Sequence, residues 1–193
     1  MGRIIDVVSE QPFERFVDAR IFKPLGMEDS FFFPPAGKQR RKTSRYILRD
    51  GTLSKSNGDL YPEGARYASP AFGINSTAPD MAAFCQMMLN GGTYHGVRIL
   101  SRSSVEIMTA VHTGDLQTSY LAGMGWGLGW RVVREPLGTL SLASVGSFWM
   151  GSGRGFGRID PAKDLVGVLL FQGAGAVEVP DTFMAMAAGV IID

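Results

Sequence analysis

The sequence predicts an α+β fold in which helices and strands are segregated along the chain, an antiparallel sheet flanked by helices. Three observations carry this. Up to about residue 115, apolar residues recur mainly at helical spacing; after Gly123 the texture changes to short apolar runs separated by Gly and Pro turns; and the last stretch, DTFMAMAAGVIID, returns to a helical pattern. Helices, then strands, then a final helix fit segregated α+β better than a βαβ repeat. At 193 residues the chain is long enough for one sizeable domain with its own core.

The elements follow in order. Ile4, Ile5, Val8, Phe13, Phe16, Val17 and Phe22 are spaced as on a helix, and Ser9 with Pro12 and Glu14 breaks that run and starts a second helix. The chain opens in mid-pattern, with no N-cap residue and no leading strand, which suggests a domain whose beginning is elsewhere. Pro24 and Gly26 end the second helix. RYILR and TLSKS flank Asp50-Gly51, a strong two-residue turn signal, so a hairpin is expected near 46–56. Ser76 or Thr77 caps a helix with Pro79 and Asp80 in its first turn, and Asn90-Gly91-Gly92 ends it. Ser101 caps a further short helix with Val105, Met108 and Val111 on one face. Strands are then expected in GMGWGLGWRVVRE, TLSLASVGSFWM, GRGFGRIDP and DLVGVLLFQ, with a turn at Pro136-Leu137-Gly138. Residues 1–115 thus read as mainly helical, and 116–193 as strands plus the C-terminal helix.

Composition narrows the function classes. Hydrophobic residues make up 45%, charged residues 19%, and the formal net charge is +1, the profile of a globular protein. Six Lys or Arg lie between Lys38 and Arg49 with no acid among them, but without an overall basic excess this reads as a solvated loop feeding the hairpin, not a nucleic-acid site. The single cysteine, Cys85, sits in an apolar helical pattern and reads as a buried structural thiol. No apolar run approaches the roughly 18 residues that cross a bilayer. Compartment stays open.

The chemistry is defined first by what is missing. His95 and His112 lie in different blocks, neither with a neighbouring ligand at metal spacing, so no metal is expected; His95 reads as an exposed turn residue. No dinucleotide fingerprint, phosphate loop or nucleophile elbow occurs, and no cofactor is implied. Ser-x-x-Lys is absent; the nearest string runs from Thr52 to Lys55, just past the hairpin turn. What remains is SFWMGSGRGFGRIDP, where glycines alternate from Gly151 to Gly157 around Ser152 and Arg154. Two readings of it are compatible. Bare backbone admits a substrate along a strand edge, or it lets a bent strand pack closely on helices.

FERFVDARIFKPLGMEDSFF, FGINSTAPDMAAFCQMMLNGGTYHGVRILS, GMGWGLGWRV and GRGFGRIDPAKDLVGVLLFQ, in that order, resemble the serine β-lactamase-like hydrolases, which embrace class C β-lactamases, DD-peptidases and related esterases. The resemblance extends over the C-terminal portion of that family. It implies a single partial domain over 1–193, resembling the C-terminal part of the β-lactamase/DD-peptidase fold. Members carry a Ser-x-x-Lys helix and a Tyr-x-Asn element before the segment matching Ile4 to Met27; no tyrosine of this chain has Asn two residues on. In the family a serine is acylated by the substrate carbonyl while a lysine and a tyrosine manage the proton. A strand edge presents backbone N–H to the oxyanion and pairs with the substrate. That strand bears a Lys- or His-x-Gly type signature, and aligning on Gly155-Phe156-Gly157 places Ser152-Gly153-Arg154 there. Ser152 then stands where a basic or aromatic group is usual, with Arg154 the cation available to substitute.

The resemblance therefore implies substrate-binding positions at Ser152, Gly153, Arg154, Gly155 and Phe156, and no catalytic residue beyond a weak candidate nucleophile, Ser152. Three functional readings follow. The chain is a hydrolase fragment, inactive alone, that pairs with a separate N-terminal half and takes small acyl substrates once completed. It is a non-catalytic binding or scaffold domain derived from that family. Or it is a residual esterase using Ser152. A fragment leaves an unpaired sheet edge and an apolar face, hence self-association or strand exchange.

Overall fold

In the computed structural model, residues 1–56, 64–116, 122–135, 142–152, 155–174 and 178–190 are described. The first helical pattern splits as its sequence indicates. Helix α1 (Gly2–Ser9) ends at Glu10, which takes a left-handed conformation at φ 55°. Helix α2 (Phe13–Val17) follows at once, its first amide held by the Asp6 carboxylate at 2.7 Å. A π turn (Asp18–Phe22) carries the chain to Pro24, and Gly26 closes it at φ +68°.

A 3-10 segment (Ala36–Arg41) then takes in part of the basic run. Lys38 and Arg41 both bond the Asp29 carboxylate, at 2.7 and 2.6 Å, so part of that positive charge is locally neutralised. The expected hairpin forms from β1 (Tyr46–Arg49) and β2 (Thr52–Lys55). Asp50 and Gly51 both have positive φ, 48° and 74°, the twist a two-residue turn requires.

Helix α3 (Ala78–Leu89) is capped by Thr77, whose side chain accepts from the Asp80 amide. Asp80 in turn accepts from the Asp29 amide and the Ser30 hydroxyl, both at 2.8 Å, tying the 29–30 segment to the helix start. Short strands β3 (Thr93–Tyr94) and β4 (Val97–Arg98) make a hairpin with His95 exposed in its turn, and Ser101 caps α4 (Arg102–Thr109) at 3.0 Å.

The main sheet is an antiparallel meander in sequence order: β5 (Met124–Trp126), β6 (Arg131–Val133), β7 (Phe148–Ser152), β8 (Gly155–Asp160) and β9 (Leu165–Leu170). The alternating GMGWGLGWRVV stretch holds two strands, because Gly127 N–H bonds Trp130 O at 2.8 Å and Gly129 turns the chain at φ +86°. The expected turn at Pro136-Leu137-Gly138 lies outside the described residues. Strand β10 (Gly173–Ala174) leaves the meander and pairs in parallel with β1. The final helix, α5 (Glu178–Gly189), begins three residues before the apolar stretch that predicts it.

Register assigns the sheet's two faces. Val132, Phe148 and Ile159 join α3's Ala83, Cys85, Met87 and Met88 in the main core, with Met150, Val166 and Val168 against it. Cys85 is fully buried, as its pattern predicts. Met124, Val133 and Ala143 form a smaller cluster with Trp149 on the opposite face. The fold is α+β, an antiparallel sheet with helices packed on it.

Candidate functional site

The glycine-rich stretch folds as the β7–β8 hairpin, paired from Phe148↔Ile159 up to Ser152↔Gly155. Its glycines have different duties. A Cβ on Gly157 would stand 2.7 Å from Cys85 Sγ, so this glycine lets α3 lie directly on the sheet. Gly151 is exposed, has φ +99°, and a Cβ there would overlap the carbonyl oxygen of Gly155. Gly155 and Phe156 lie on β8, an interior strand between β7 and β9, and the Phe156 ring stacks on Phe171 with centroids 6.3 Å apart. Ser152 is described through its backbone pairing alone, and Gly153 and Arg154 lie outside the described residues.

The open backbone belongs to β7. Val133 N–H bonds Ser147 O at 2.9 Å, and Arg131 pairs with Trp149, so the Ser147 carbonyl and the peptide groups of Trp149 face β6. Gly151 is the next residue in that two-residue alternation. β6 begins at Arg131, so its pairing with β7 stops at Trp149, one step short of Gly151. The site is therefore a short run of backbone, Met150 to Ser152, that among the described residues pairs with β8 on one side and lies past the end of β6 on the other.

Beneath it lies a buried polar group that the sequence reading passed over. Arg158, cross-strand from Trp149, and Asp160 are both almost fully buried, with Arg158 Nη2 4.0 Å from Asp160 Oδ2. Arg158 also donates to Ser147 Oγ at 3.2 Å, and the Ser144 amide donates to Asp160 at 3.0 Å. Burial holds the Arg158 pKa below its ordinary value, opposed by the neighbouring Asp160 carboxylate. The signal was present in the sequence: Arg158 and Asp160 alternate with Gly157 and Ile159, which puts both charges on one face. The network ties β8 to the 144–147 segment that leads into β7.

The serines with described hydroxyl contacts sit in structural roles. Ser30 bonds Ser76 and Asp80, Ser101 bonds Ser104, and Ser147 receives Arg158. None of these contacts joins a serine to a lysine or histidine, the arrangement a nucleophile needs. His112 bonds Ile107 O at 2.7 Å, and His95 packs on Tyr94. Among the described residues no three His, Cys, Asp or Glu converge on a metal position.

Architecture places the chain among the serine hydrolase and penicillin-binding folds. EstCE1, a hydrolase with promiscuous acyltransferase activity, superposes with a TM-score of 0.85 over 97% of this chain and 54% of its own, at 17% identity, a likeness of fold alone. Sequence gives the family: the Beta-lactamase family model matches residues 1–190, and the chain belongs to that family. Protein Rv1367c of Mycobacterium tuberculosis is 30% identical over 98% of this chain and 49% of its own length. A putative D-alanyl-D-alanine carboxypeptidase of Escherichia coli O157:H7 is 32% identical over 68% of this chain and 32% of its own. The chain thus spans about half, or less, of the curated relatives it matches.

Proposed function

We propose that this chain is the substrate-edge half of a β-lactamase-family serine hydrolase, inactive alone and acting on acyl substrates (β-lactam, D-Ala peptide or ester) once completed. The observation that carries the reading is a pairing of presence with absence. A glycine-bearing strand stops pairing where substrate would lie, while the chain holds neither Ser-x-x-Lys nor Tyr-x-Asn and is about half as long as Protein Rv1367c. In the completed enzyme the other half supplies the nucleophilic serine and its proton-managing lysine and tyrosine. This half supplies the outward backbone N–H and C=O of Gly151, past the end of β6, which receive the oxyanion and align the substrate by strand-like pairing. Trp149-Met150-Gly151 provides an aromatic-x-Gly sequence at the open point of β7, three residues before Ser152-Gly153-Arg154. Arg154 remains the cation nearest in sequence to that edge.

The competing reading is a non-catalytic binding domain of the same descent. The open β7 edge serves either role, and turnover separates them. The 193-residue chain should hydrolyse nitrocefin and p-nitrophenyl butyrate no faster than buffer. With the missing half restored, hydrolysis should appear, and Gly151→Ala should remove it. Turnover by the chain alone would overturn the reading of an inactive half, whereas a restored protein that folds, binds and fails to turn over either substrate would favour the binding domain.

A further inference from the structure

The basic run that begins at Lys38 takes no part in the site described above, and it leads into the β1–β2 hairpin. Seven of the chain's 19 Lys and Arg, but one of its 18 Asp and Glu, fall between Lys38 and Lys55, which leaves 12 against 17 elsewhere. A near-neutral chain thus carries one strongly positive segment and a net negative remainder. Asp29 takes up Lys38 and Arg41, while Arg40, Arg49 and Lys55 are exposed.

The hairpin projects from the fold. Its root is held: Tyr46 and Ile47 pair with Gly173 and Ala174 of β10, and the Ser56 amide bonds Arg45 O at 2.7 Å. Beyond Ile47, β1 and β2 pair only with each other among the described residues, and every residue from Leu48 to Lys55 is exposed. Leu48 and Leu53 are direct cross-strand partners, so both side chains lie on one face of this finger. They are 41% and 60% exposed, and neither belongs to a core cluster. The next pair on that face, about 7 Å toward the root, is Tyr46 with Lys55. Arg49 and the turn residue Asp50 complete the tip, with one charge of each sign.

We propose that the β1–β2 finger docks on an anionic lipid surface, with Leu48 and Leu53 entering the headgroup layer and Arg40, Arg49 and Lys55 meeting lipid phosphates. The order of groups along the finger selects that partner. An apolar pair near the tip, with a tyrosine and a lysine one step behind, follows the gradient of a membrane interface, where amphipathic and cationic groups sit at headgroup level. A soluble polyanion would be served by the cations alone and would gain nothing from two exposed leucines. No helix among the described residues is long and apolar enough to cross a membrane, and each strand of the finger has 4 residues, short of the roughly nine that a spanning strand needs. The finger therefore rests in the surface layer. The proposal stands apart from the half-hydrolase reading, since it needs neither a second half nor a reaction.

The test is sedimentation of the 193-residue chain with vesicles of phosphatidylcholine, alone or with about a third phosphatidylglycerol, in about 0.1 M salt. Affinity for the anionic vesicles should exceed that for the neutral ones by about 100-fold. Arg40→Gln/Arg49→Gln/Lys55→Gln should remove about 100-fold, at roughly fivefold per cation. Leu48→Ser/Leu53→Ser should cost about tenfold on vesicles and leave binding to soluble polyphosphate unchanged. All five positions are exposed, so both variants should melt with the parent chain. Leu53→Cys can be labelled with a nitrobenzoxadiazole fluorophore while Cys85 stays buried, and its emission should shift to the blue on anionic vesicles. Absent binding, or equal binding to both kinds of vesicle, would overturn the proposal. So would a label at position 53 that stays in water while the chain sediments, which would place the contact elsewhere. Vesicle binding indifferent to Leu48→Ser/Leu53→Ser, with polyphosphate bound as tightly, would assign the basic run to a soluble polyanion instead.

Discussion

Replacing Gly157 with alanine tests whether α3 is seated on the sheet as described. The added Cβ would stand 2.7 Å from Cys85 Sγ, well inside contact distance, and Cys85 is fully buried in the main core, so neither group has free space to retreat into. Overpacking of this kind costs about 1–3 kcal/mol. Alanine recovers roughly 0.5–1 kcal/mol of the backbone entropy that glycine loses in a strand. The net loss should be about 1–2 kcal/mol, lowering Tm by roughly 2–8 °C for a chain of this size. Cys85→Ala alone, a one-atom deletion from the core, should cost about 1 kcal/mol. In Gly157→Ala/Cys85→Ala the new methyl faces the space the sulfur vacates and the clash is gone, so the double variant should be more stable than the sum of the two losses by about 1 kcal/mol or more. Urea unfolding of all four proteins gives the coupling. Additivity within about 0.5 kcal/mol would show that the two residues are not in contact and would refute the packing of α3 on β8.

Three further outcomes are expected. Gly151→Ala should cost about 3 kcal/mol or more, combining a left-handed backbone with overlap on Gly155, whereas Gly129→Ala, also at positive φ but with open space around it, should cost only about 1 kcal/mol; equal losses in thermal melts would contradict the hairpin geometry. Burial pushes the Cys85 thiol from its ordinary 9.0 up to about 12, so the folded chain holds this proton where the unfolded chain releases it. Stability from this group is full below pH 9 and falls through the window from 9 to 12 at up to about 1.4 kcal/mol per pH unit, a slope that Cys85→Ala should lessen. Ser101→Ala removes the N-cap of α4 and should cost about 1 kcal/mol, read as a lower urea midpoint at unchanged m-value.

Local chemistry was legible in the sequence where one short segment decides the outcome. Asp50-Gly51 fixed its hairpin because both residues tolerate positive φ, Thr77 and Ser101 capped their helices, and the apolar setting of Cys85 foretold its burial. The repeating Gly-Trp-Gly-Leu-Gly-Trp pattern hid a turn, since alternation continues through Gly127–Trp130 while the backbone reverses. Pairings between distant segments left no local trace: nothing near Tyr46 indicates that its partner is Gly173. For the candidate site, the glycines were visible but their separate duties were not. Gly157 answers to Cys85 on a helix 72 positions earlier, and Gly151 answers to its own hairpin. The buried Arg158–Asp160 pair was readable from its spacing as two charges on the face of Trp149, but its burial depends on the 142–147 segment that folds over it.

The most direct test of the central claim is intact mass of the folded 193-residue chain after incubation with a fluorophosphonate and, separately, with a penicillin. An unmodified mass in both is the expected result, since none of the serine hydroxyl contacts given above joins a serine to a lysine or histidine. A stoichiometric adduct, mapped by peptide analysis to Ser152 or any other serine, would show an activated nucleophile in this chain and contradict the account.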